Sequence, residues 1–418
     1  MQETSKKPAL RFAGFNDAWE QRKLGEIAEI VGGGTPSTSN PAYWDGDIDW
    51  YAPAEMEGQR YAVGSVRKIT DDGLQHSSAK MLPPDKTVLF TSRAGIGKMA
   101  ILKRPGATNQ GFQSMILKES YNPYFIYSMG DEIKAKAEGV ASGSTFLEIS
   151  GKMLGNIEIA VPEKAEQDAI ADYFECLDDL ITLHQRKYAK LMNIKKSMLD
   201  KMFPKDGATV PEIRFAGFTD AWEQREFGES FDLLTNNTLS RAELNDENGT
   251  ALNVHYGDIL VKFGEMIDLA ADHLPYITDP AKVIKSAALQ NGDVIIADTA
   301  EDSTVGKCSE ITGIIDKIVV SGLHTIPCRP RQKFAPGYLG YFMNSPAYHD
   351  QLLPLMQGTK VTSVSKSALE DTLLCYPTDS DEQALIGRYF MNLDNLITLH
   401  QRELERLQNI KKAMPSEE

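Results

Sequence analysis

Cysteine is scarce in this sequence. The four cysteines, Cys176, Cys308, Cys328 and Cys375, are scattered over 418 residues and form no Cys-x-x-Cys pair. Structural zinc sites need closely spaced cysteines, and small secreted domains need several cysteines for a disulfide framework. We therefore expect neither a zinc site nor disulfide bonds, and a cytoplasmic location follows.

Long hydrophobic runs are absent as well. A membrane-spanning helix needs about eighteen or more apolar residues in a row, and the sequence has no such run. The opening segment, Met1-Gln-Glu-Thr-Ser-Lys-Lys7, lacks the apolar stretch of a signal peptide. With 42% hydrophobic and 25% charged residues, the composition is that of an ordinary globular protein, and we expect no contact with a membrane.

Excess positive charge is also missing. The formal net charge is −15, whereas a protein that coats DNA alone needs lysine and arginine to neutralise the phosphates. One segment departs from this balance, because residues 80–104 contain six basic side chains and one acidic one, Asp85. The basic residues are Lys80, Lys86, Arg93, Lys98, Lys103 and Arg104. They form either a nucleic-acid contact or a solvated basic face, and the sequence leaves both interpretations open.

Complete catalytic motifs were not found. A phosphate-binding P-loop with Lys98 as its lysine needs a glycine at position 92 and a serine or threonine at position 99, but Ser92 and Met99 stand there. Asn122-Pro-Tyr-Phe125 has one proline too few for the motif of amino-methyltransferases, and the start of a helix explains it better. Asp45-Gly-Asp-Ile-Asp49 lacks the length and the final glutamate of a calcium loop. We expect no catalytic site, metal or cofactor in this chain.

What the sequence does contain is two repeats. Leu10-Arg-Phe-Ala-Gly-Phe-Asn-Asp-Ala-Trp-Glu-Gln-Arg22 returns as Ile213-Arg-Phe-Ala-Gly-Phe-Thr-Asp-Ala-Trp-Glu-Gln-Arg225, at an offset of 203 residues. The segment 166–196 returns at 382–412, at an offset of 216 residues, with Leu-Ile-Thr-Leu-His-Gln-Arg in both copies. The inserts between the copies differ in sequence. Repeats of this size indicate the architecture before any local pattern does, and here they indicate a constant frame that presents two variable inserts.

The second repeat has the pattern of a long helix. Apolar residues recur at alternating intervals of four and three, which is the seam of a coiled coil. The seam positions are Ile170, Phe174, Leu177, Ile181 and Leu191 in the first copy, and Ile386, Phe390, Leu393, Ile397 and Leu407 in the second. His184 and His400 also fall in the seam, where packing explains them better than metal binding. At Lys195 and Lys411 we expect the seam to loosen.

A single helix with such an apolar seam needs a partner, because an isolated helix is only marginally stable in water. Each copy ends its own half of the chain, so we expect the two helices to pair with each other, antiparallel and with a pseudo-twofold relation. Pairing with a second chain is the alternative.

The inserts predict mixed α/β domains. Residues 87–91 and 292–297 are apolar runs typical of buried strands, and each is followed by a loop that ends in Gly-Lys. Pro123 and Pro336 mark the starts of helices. Because the same signals follow in the same order, we interpret the inserts as distant copies of one fold whose surface loops have diverged.

The loops of both inserts are rich in side chains that can recognise nucleic acid. Arginine and lysine pair with guanine, asparagine and glutamine pair with adenine, and hydroxyl groups adapt to either. The candidates are Thr91, Ser92, Arg93, Lys98, Asn109 and Gln110 in the first insert, and Thr299, Ser303, Thr304, Lys307, Ser321, Thr359 and Lys360 in the second. Ordinary polar loops have similar compositions, but the matched placement in two divergent inserts favours DNA contact.

These features together resemble the specificity subunit of type I restriction–modification systems, over essentially the whole chain. The segments that carry the resemblance are Leu24-Gly-Glu-Ile, Gly34-Thr-Pro-Ser, Tyr43-Trp44, Thr91-Ser-Arg-Ala94, Asn109-Gln-Gly-Phe112 and the doubled Leu-Ile-Thr-Leu-His-Gln-Arg helix. The second insert departs from the first, since it has Asp298-Thr-Ala-Glu301 where the first has Ser92-Arg93 and it lacks Asn-Gln-Gly. A different DNA half-site would need such a difference.

The resemblance implies an α/β (α+β) fold, with two globular target-recognition domains joined by two long antiparallel coiled-coil helices and a pseudo-twofold internal repeat. The implied boundaries are an N-terminal repeat segment at 1–23, recognition domain 1 at 24–161, a central helix at 162–204, a linker and repeat segment at 205–226, recognition domain 2 at 227–376 and a C-terminal helix at 377–418.

The resemblance also implies a function and partners. Each recognition domain reads one half of a split, asymmetric double-stranded DNA target, and the helices act as a spacer. Two adenine-methyltransferase subunits bind this scaffold, and two ATP-dependent translocase–nuclease (restriction) subunits join them. S-adenosylmethionine, ATP and Mg²⁺ are then used by these partners and not by this chain. Two other classes stay open on the residues alone: a stand-alone nucleic-acid enzyme (a DNA methyltransferase or nuclease) and a coiled-coil scaffold for proteins.

Overall fold

The computed structural model describes residues 11–143, 147–205, 207–283, 288–358 and 360–413. The internal contacts divide the chain into two compact units. Unit 1 comprises the described residues of Met1–His184 and Glu403–Glu418, and unit 2 comprises those of Gln185–Arg402. Within the described residues, no helix is both long enough and apolar enough to cross a membrane.

Short strands and helices lead up to one long helix in the first half of the chain. In chain order they are β1 Glu20–Lys23, α1 Leu24–Ile27, β2 Ala28–Gly32, β3 Trp44–Tyr51, β4 Tyr61–Ala62, β5 Arg67–Ile69, α2 Asp71–Gln75, β6 Thr87–Phe90, β7 Met99–Leu102, β8 Gly106–Thr108, β9 Gln113–Leu117, α3 Pro123–Ser128, α4 Gly130–Val140, α5 Gly151–Gly155, β10 Glu158–Val161 and α6 Lys164–Lys201.

Unit 1 is built on a five-stranded sheet in the order β2-β9-β6-β7-β4 and a three-stranded sheet in the order β5-β3-β8. All four residues of β6 are buried, as its continuous apolar run predicts for a strand covered on both faces. Helix α3 begins after Asn122, whose side chain accepts hydrogen bonds from the backbone N–H groups of Tyr124 and Phe125. An asparagine cap followed by proline at the first helical position is a strong start signal, and it confirms the helix expected at Pro123.

The second half of the chain has a related order with additional short elements. Its elements are β11 Glu223–Glu226, α7 Phe227–Ser230, β12 Phe231–Leu233, β13 Leu244–Asn245, β14 Ala251–Val254, α8 Tyr256–Val261, β15 Met266–Asp268, β16 Tyr276–Ile277, β17 Val294–Ala297, β18 Thr299–Ala300, β19 Cys308–Thr312, β20 Ile318–Ser321, β21 Thr325–Pro330, α9 Tyr338–Asn344, α10 Pro346–His349, β22 Thr362–Ser363, α11 Lys366–Glu370, β23 Leu373–Tyr376 and α12 Ser380–Ala413.

The two inserts share the topology of the main sheet, whereas the second sheet has three strands in unit 1 and four, in the order β13-β16-β14-β20, in unit 2. The five-stranded sheet of unit 2 has the order β12-β21-β17-β19-β15, which repeats the order of unit 1 strand for strand. In the second sheet β14 pairs with β20 in parallel, as β3 pairs with β8 in unit 1. An antiparallel ribbon closes each insert, formed by β1 with β10 and by β11 with β23. The expectation that the inserts are copies of one fold is therefore confirmed at the level of topology.

The two sequence repeats contact each other in the same way in both units. In unit 1, Arg11 donates from Nε and Nη2 to the two carboxylate oxygens of the buried Glu166, each over 2.6 Å. In unit 2, Arg214 makes the same fork with Glu382, over 2.7 and 2.8 Å. A bidentate arginine–carboxylate pair combines charge with fixed geometry. The segment repeated at an offset of 203 residues therefore contacts the helix repeated at an offset of 216 residues. In each unit this contact holds the Arg-Phe segment to the start of the long helix.

The glutamine that follows each of these glutamates fastens the helix to the insert. Gln167 accepts a hydrogen bond from the backbone N–H of Asn122 over 3.0 Å, and Gln383 accepts one from Ala335 over 3.0 Å. Each also donates to the carbonyl of the proline that precedes its helix, over 2.9 and 2.8 Å. The repeated Glu-Gln pair therefore joins three segments of a unit: the frame, the insert and the long helix.

Each long helix covers its copy of the second repeat and extends beyond it at both ends. α6 contains 38 residues and α12 contains 34. Gly387 lies where α12 passes close to Pro336, because a Cβ at this position would lie 2.6 Å from the proline carbonyl oxygen. The buried seam residues are Leu177, Ile181, Ile386, Phe390, Leu393 and Ile397, and the partly buried ones are Ile170, Phe174, Leu191 and Leu407.

In unit 2 the long helices run in opposite directions. Lys195 of α6 lies between Asp394 of α12, at 2.7 Å, and Glu265, at 2.8 Å. Phe203, two residues after α6, stacks on Phe390 of α12 with the ring centroids 5.9 Å apart. Later residues of α6 thus meet earlier residues of α12. Burial lowers the pKa of Lys195, but Glu265 and Asp394 outweigh it and the net shift is upward.

Unit 1 contains the counterpart of this ion pair. Lys411, which repeats Lys195, lies 2.6 Å from Asp178, which repeats Asp394. A tyrosine hydroxyl completes each group: Tyr124 donates to Asp178 over 2.8 Å, and Tyr341 donates to Asp394 over 2.7 Å. The expectation that the seam loosens at the two lysines is therefore wrong. Lys195 pairs with Asp394 and Lys411 pairs with Asp178, and these two aspartates occupy the same position in the repeat.

Candidate nucleic-acid interface

Three loops of unit 1 meet at one end of the five-stranded sheet. They are residues 91–98 after β6, residues 109–112 before β9 and residues 33–39 after β2. The backbone N–H of Ser92 donates to the carbonyl of Gly111 over 2.7 Å, and the N–H of Gly34 donates to the carbonyl of Thr108 over 2.8 Å. These bonds hold the three loops side by side.

Thr91 and Ser92 shape the first of these loops from within. The Thr91 hydroxyl donates to the carbonyl of Gly95 over 2.6 Å and accepts from the N–H of Lys98 over 2.9 Å. Both Thr91 and Ser92 are fully buried. Arg93 is partly exposed. The loop therefore offers Arg93 to a ligand, whereas the Thr91 hydroxyl fixes its conformation and the Ser92 hydroxyl is buried without a hydrogen-bond partner among the described residues.

The second loop offers an exposed amide. Gln110 is exposed, and its side-chain oxygen accepts a hydrogen bond from the hydroxyl of Thr35 in the third loop. The side-chain oxygen of Asn109 accepts from the N–H of Gly111 over 2.7 Å, so this residue closes the turn. Gly33 allows the close approach of the loops, since a Cβ there would lie 1.8 Å from the carbonyl oxygen of Asn109.

The basic residues between 80 and 104 do not form one surface. β6 and β7 are antiparallel neighbours, so Arg93 and Lys98 lie at the end of the sheet where the three loops meet. Lys103 lies at the opposite end and is paired with Asp85 over 2.9 Å. The single basic cluster expected from the sequence is thus divided between the two ends. Lys98 is itself paired, with Glu57 over 3.1 Å.

Unit 2 builds the same loop arrangement with different side chains. The N–H of Asp298 donates to the carbonyl of His324 over 3.1 Å, as Ser92 does to Gly111 in unit 1. The loop 298–307 after β17 therefore corresponds to residues 92–98, and His324 stands in the place of Gly111. Equivalent backbone positions consequently carry different side chains in the two units.

The predicted residues of unit 2 divide into exposed and buried groups. Ser321 is fully buried, and its hydroxyl lies 2.5 Å from that of Thr325. The Lys307 ammonium donates to two backbone carbonyls over 2.9 and 3.1 Å, and its burial lowers its pKa. The remaining candidates, exposed or partly exposed, are Thr299, Ser303, Thr304 and Lys360, while Thr359 lies outside the described residues.

Sequence reasoning missed two residues of these loop clusters, Thr35 and His324. The His324 side chain is 47% exposed, and its Nδ1 lies 3.4 Å from the carboxylate of Asp298. Its ring packs edge-on against Tyr256 with the centroids 5.3 Å apart. Matching 321–324 to 109–112 by sequence places His324 one position away from its structural counterpart, so only the hydrogen-bond register reveals it.

A metal site or an activated thiol was not found in these clusters. In the part of the chain that the structure describes, no group of three or more His, Cys, Asp or Glu side chains is placed to hold a metal ion. Burial raises the pKa values of Cys308 and Cys328, so both thiols stay protonated at neutral pH and are poor nucleophiles.

The loop cluster of unit 1 lies within a segment that matches a known family. The family described as a type I restriction modification DNA specificity domain matches residues 16–193. This part of the chain is similar to a type I DNA specificity domain. The resemblance to type I specificity subunits inferred from the sequence motifs is thereby confirmed.

Curated relatives of the specificity domain support this assignment. The chain is 35% identical over 193 residues to the type I restriction enzyme MjaIX specificity subunit of Methanocaldococcus jannaschii, covering 44% of each chain. It is 31% identical over 169 residues to the EcoR124I/EcoR124II specificity subunit of Escherichia coli, covering 38% of this chain and 41% of that one. Each of these alignments spans less than half the length of the relative.

Two further comparisons extend over nearly the whole chain. The MjaVIII specificity subunit of the same Methanocaldococcus species is 22% identical over 410 residues, which cover 95% of this chain and 91% of that one. The crystal structure of a type I restriction–modification S subunit from M. genitalium matches with a TM-score of 0.55 at 13% identity, over 97% of both chains. This structural likeness concerns the fold, a two-domain arrangement with mixed α/β content.

Proposed function

We propose that this chain is the DNA-sequence-recognition (specificity) subunit of a type I restriction–modification complex. Recognition domains 24–161 and 227–376 each read one half of a bipartite, asymmetric DNA target. The observation that carries the proposal is the pair of equivalent loop clusters. Each cluster lies at the same end of the five-stranded sheet of its own unit. The exposed side chains of the two clusters differ. Two unlike half-sites require this combination of a constant frame and different contact groups.

The exposed groups of unit 1 suit direct readout in the major groove. Arg93 can pair with the N7 and O6 acceptors of guanine, and Gln110 can pair with adenine. Lys98 is already neutralised by Glu57. In this proposal Thr91 and Ser92 support the loop and do not contact bases. In unit 2 the corresponding contacts come from the exposed or partly exposed set of Thr299, Ser303, Thr304 and Lys360.

The long helices act as the spacer of this proposal, as an antiparallel coiled coil with a pseudo-twofold repeat. Two observations support it. The contacts of α6 with α12 in unit 2 run in opposite directions, and the Lys195–Asp394 pair has its repeat in Lys411–Asp178. Equivalent ion pairs at both positions are what a twofold relation between the helices produces.

Exposed apolar residues on the two helices are suited to binding two copies of one partner protein. Leu180 and Leu183 in unit 1 are 40% and 45% exposed, and their repeats Leu396 and Leu399 in unit 2 are 45% and 52% exposed. Residues three apart lie on the same helix face. We assign these two equivalent faces to two adenine-methyltransferase subunits, and we expect two restriction subunits to complete the complex.

The proposal gives the chain no catalytic role and no cofactor. S-adenosylmethionine is used by the methyltransferase subunits, and ATP and Mg²⁺ by the restriction subunits. The net charge of −15 fits a chain that supplies sequence discrimination while its partners supply much of the contact with phosphates. Such a complex acts in the cytoplasm, where the DNA of the cell lies.

The test is retention of DNA by the full chain with and without the methyltransferase partner. A random duplex library should yield one bipartite motif with a fixed gap when both are present. Leu183→Ser combined with Leu399→Ser should weaken partner binding, whereas Met192→Ser, which is 42% exposed on the same α6 helix, should not. Methylation by the chain alone, or retention without any sequence preference in the complex, contradicts the proposal.

A further inference from the structure

His324 occupies an unusual backbone position in unit 2. Its φ angle is +56°, in the left-handed region that side chains rarely adopt outside functional or tightly constrained positions. Its carbonyl accepts the hydrogen bond from Asp298 that joins the two loops. Despite this constraint the side chain is 47% exposed. The backbone is thus fixed by the core of the loop cluster while the imidazole is presented at its surface.

The neighbours of the imidazole determine which nitrogen carries the proton. Nδ1 lies 3.4 Å from the Asp298 carboxylate and 3.4 Å from the Thr299 hydroxyl oxygen. The Thr299 hydroxyl proton is already donated to Asp298, over 2.7 Å. Both neighbours of Nδ1 therefore present acceptors, which favours the neutral tautomer with the proton on Nδ1. Nε2 is then a hydrogen-bond acceptor, and no described residue donates a hydrogen bond to it.

Tyr256 fixes the plane of the ring. The two rings meet edge to face at 5.3 Å with an interplanar angle of 78°, which is a preferred geometry for aromatic pairs. Together with Asp298 and Thr299 it restricts the orientation of the imidazole. A ring with a fixed plane and a defined acceptor is able to discriminate between hydrogen-bonding partners.

We propose that His324 is a specificity-determining residue of recognition domain 2, which accepts a hydrogen bond through Nε2 from the exocyclic amino group of adenine or cytosine. This inference rests on the proposed function. In the major groove only adenine N6 and cytosine N4 present amino donors, whereas guanine and thymine present acceptors at these places. His324 holds the position of Gly111, next to the exposed Gln110 of unit 1, so both units place a polar side chain at this point of the loop cluster. Asp298 and Thr299 orient its ring through the contacts at Nδ1.

The experiment uses the full chain in complex with its methyltransferase partner and a duplex library randomised in the second half-site. His324→Ala should reduce the preference for an amino-bearing base at one position by about three- to tenfold, the effect of a single hydrogen bond. The first half-site should be unchanged, which also reports that the variant is folded. His324→Gln, which retains an acceptor, should restore part of the preference.

A matched control and base analogues sharpen the test. His273 is 57% exposed, lies 3.6 Å from Asp246 and packs near Tyr276, yet it lies outside the loop cluster, so His273→Ala should change nothing. Replacing adenine by purine, or cytosine by 2-pyrimidinone, removes the amino group and identifies which base is read. That change should weaken binding of the wild-type complex and have no effect on the His324→Ala complex.

The outcomes separate this inference from the function on which it rests. If the wild-type complex retains no specific sequence, the proposed function fails. If the wild-type complex is specific but His324→Ala leaves the second half-site profile intact, the role of His324 is overturned and the function stands. A wild-type preference for guanine or thymine at the position that His324→Ala relaxes also overturns the assignment of Nε2 as an acceptor.

Discussion

Lys195 and Lys411 occupy the same position in the two repeats, and we expect their removal to have unequal consequences. Lys195 has only 15% of its side chain exposed and lies between Glu265 and Asp394, which are 14% and 32% exposed. Lys195→Met leaves two neighbouring, largely buried carboxylates without a counter-charge. Breaking a buried ion pair from one side costs about 3–5 kcal/mol, so we expect about 3 kcal/mol here.

Lys411 is 40% exposed and meets one carboxylate, Asp178, which keeps its hydrogen bond from Tyr124. Asp178 is only 13% exposed, but the lysine side of the pair is open to water, and solvent screening there reduces the contribution of the pair to about 1 kcal/mol. The matched variant Lys411→Met should therefore cost about 1 kcal/mol or less. The two substitutions are identical in chemistry and in repeat position, so only their surroundings differ.

Amide hydrogen exchange measures the difference unit by unit. A loss of about 3 kcal/mol corresponds to roughly a hundredfold faster exchange where opening is local. Lys195→Met should show this in α9 and in the second half of α6, and Glu265→Gln added to it should recover part of the loss. Equal protection in the Lys195→Met and Lys411→Met variants would refute the reasoning from burial.

Three further predictions concern specificity, spacing and pH. Arg93→Ala or Gln110→Ala should weaken recognition of the first half-site alone, by about 1–3 kcal/mol if the side chain makes a bidentate base contact, as measured by competition between half-site variants. Four residues inserted near Asn193 add one helical turn, about 6 Å, and should lengthen the gap between half-sites by about one or two base pairs at about 3.4 Å each. A two-residue insertion rotates the apolar seam of the helix by about 200° and should abolish assembly. Burial raises the pKa of Glu310 to about 7, above its value of 4.5 in an unfolded chain. The stability that the protonated Glu310 side chain contributes is therefore complete below pH 4.5 and is lost as the pH rises through about 7. Melting temperatures between pH 4.5 and 8 should fall more steeply for the wild type than for Glu310→Gln, and identical slopes would contradict this assignment.

The frame and the helices could be predicted from the sequence because their signals are local and repeated. The seam from Ile170 to Leu191 follows helical spacing, and α6 and α12 begin within two residues of Glu166 and Glu382. The strand at 87–91 is an apolar run between loop residues. Such patterns depend on neighbours along the chain, which are visible in the sequence.

The contact residues could be predicted less well, because exposure is decided by parts of the chain distant in sequence. Thr91 and Ser321 have the composition of recognition loops but are fully buried. Gln110 is held by Thr35, 75 residues away. Lys195 interrupts an apolar seam, and only the positions of Glu265 and Asp394 explain why. Polar residues give the same sequence signal whether they support a loop or face its ligand.

The central claim is that each insert reads its own half-site within a constant frame. A map of methylated adenines in cells that contain this chain with its partner subunits tests it most directly, before and after residues 24–161 are exchanged for those of a relative. We predict that one half of the methylated motif changes while the other half and the gap between them stay the same. A change in both halves together, or in neither, would contradict the claim.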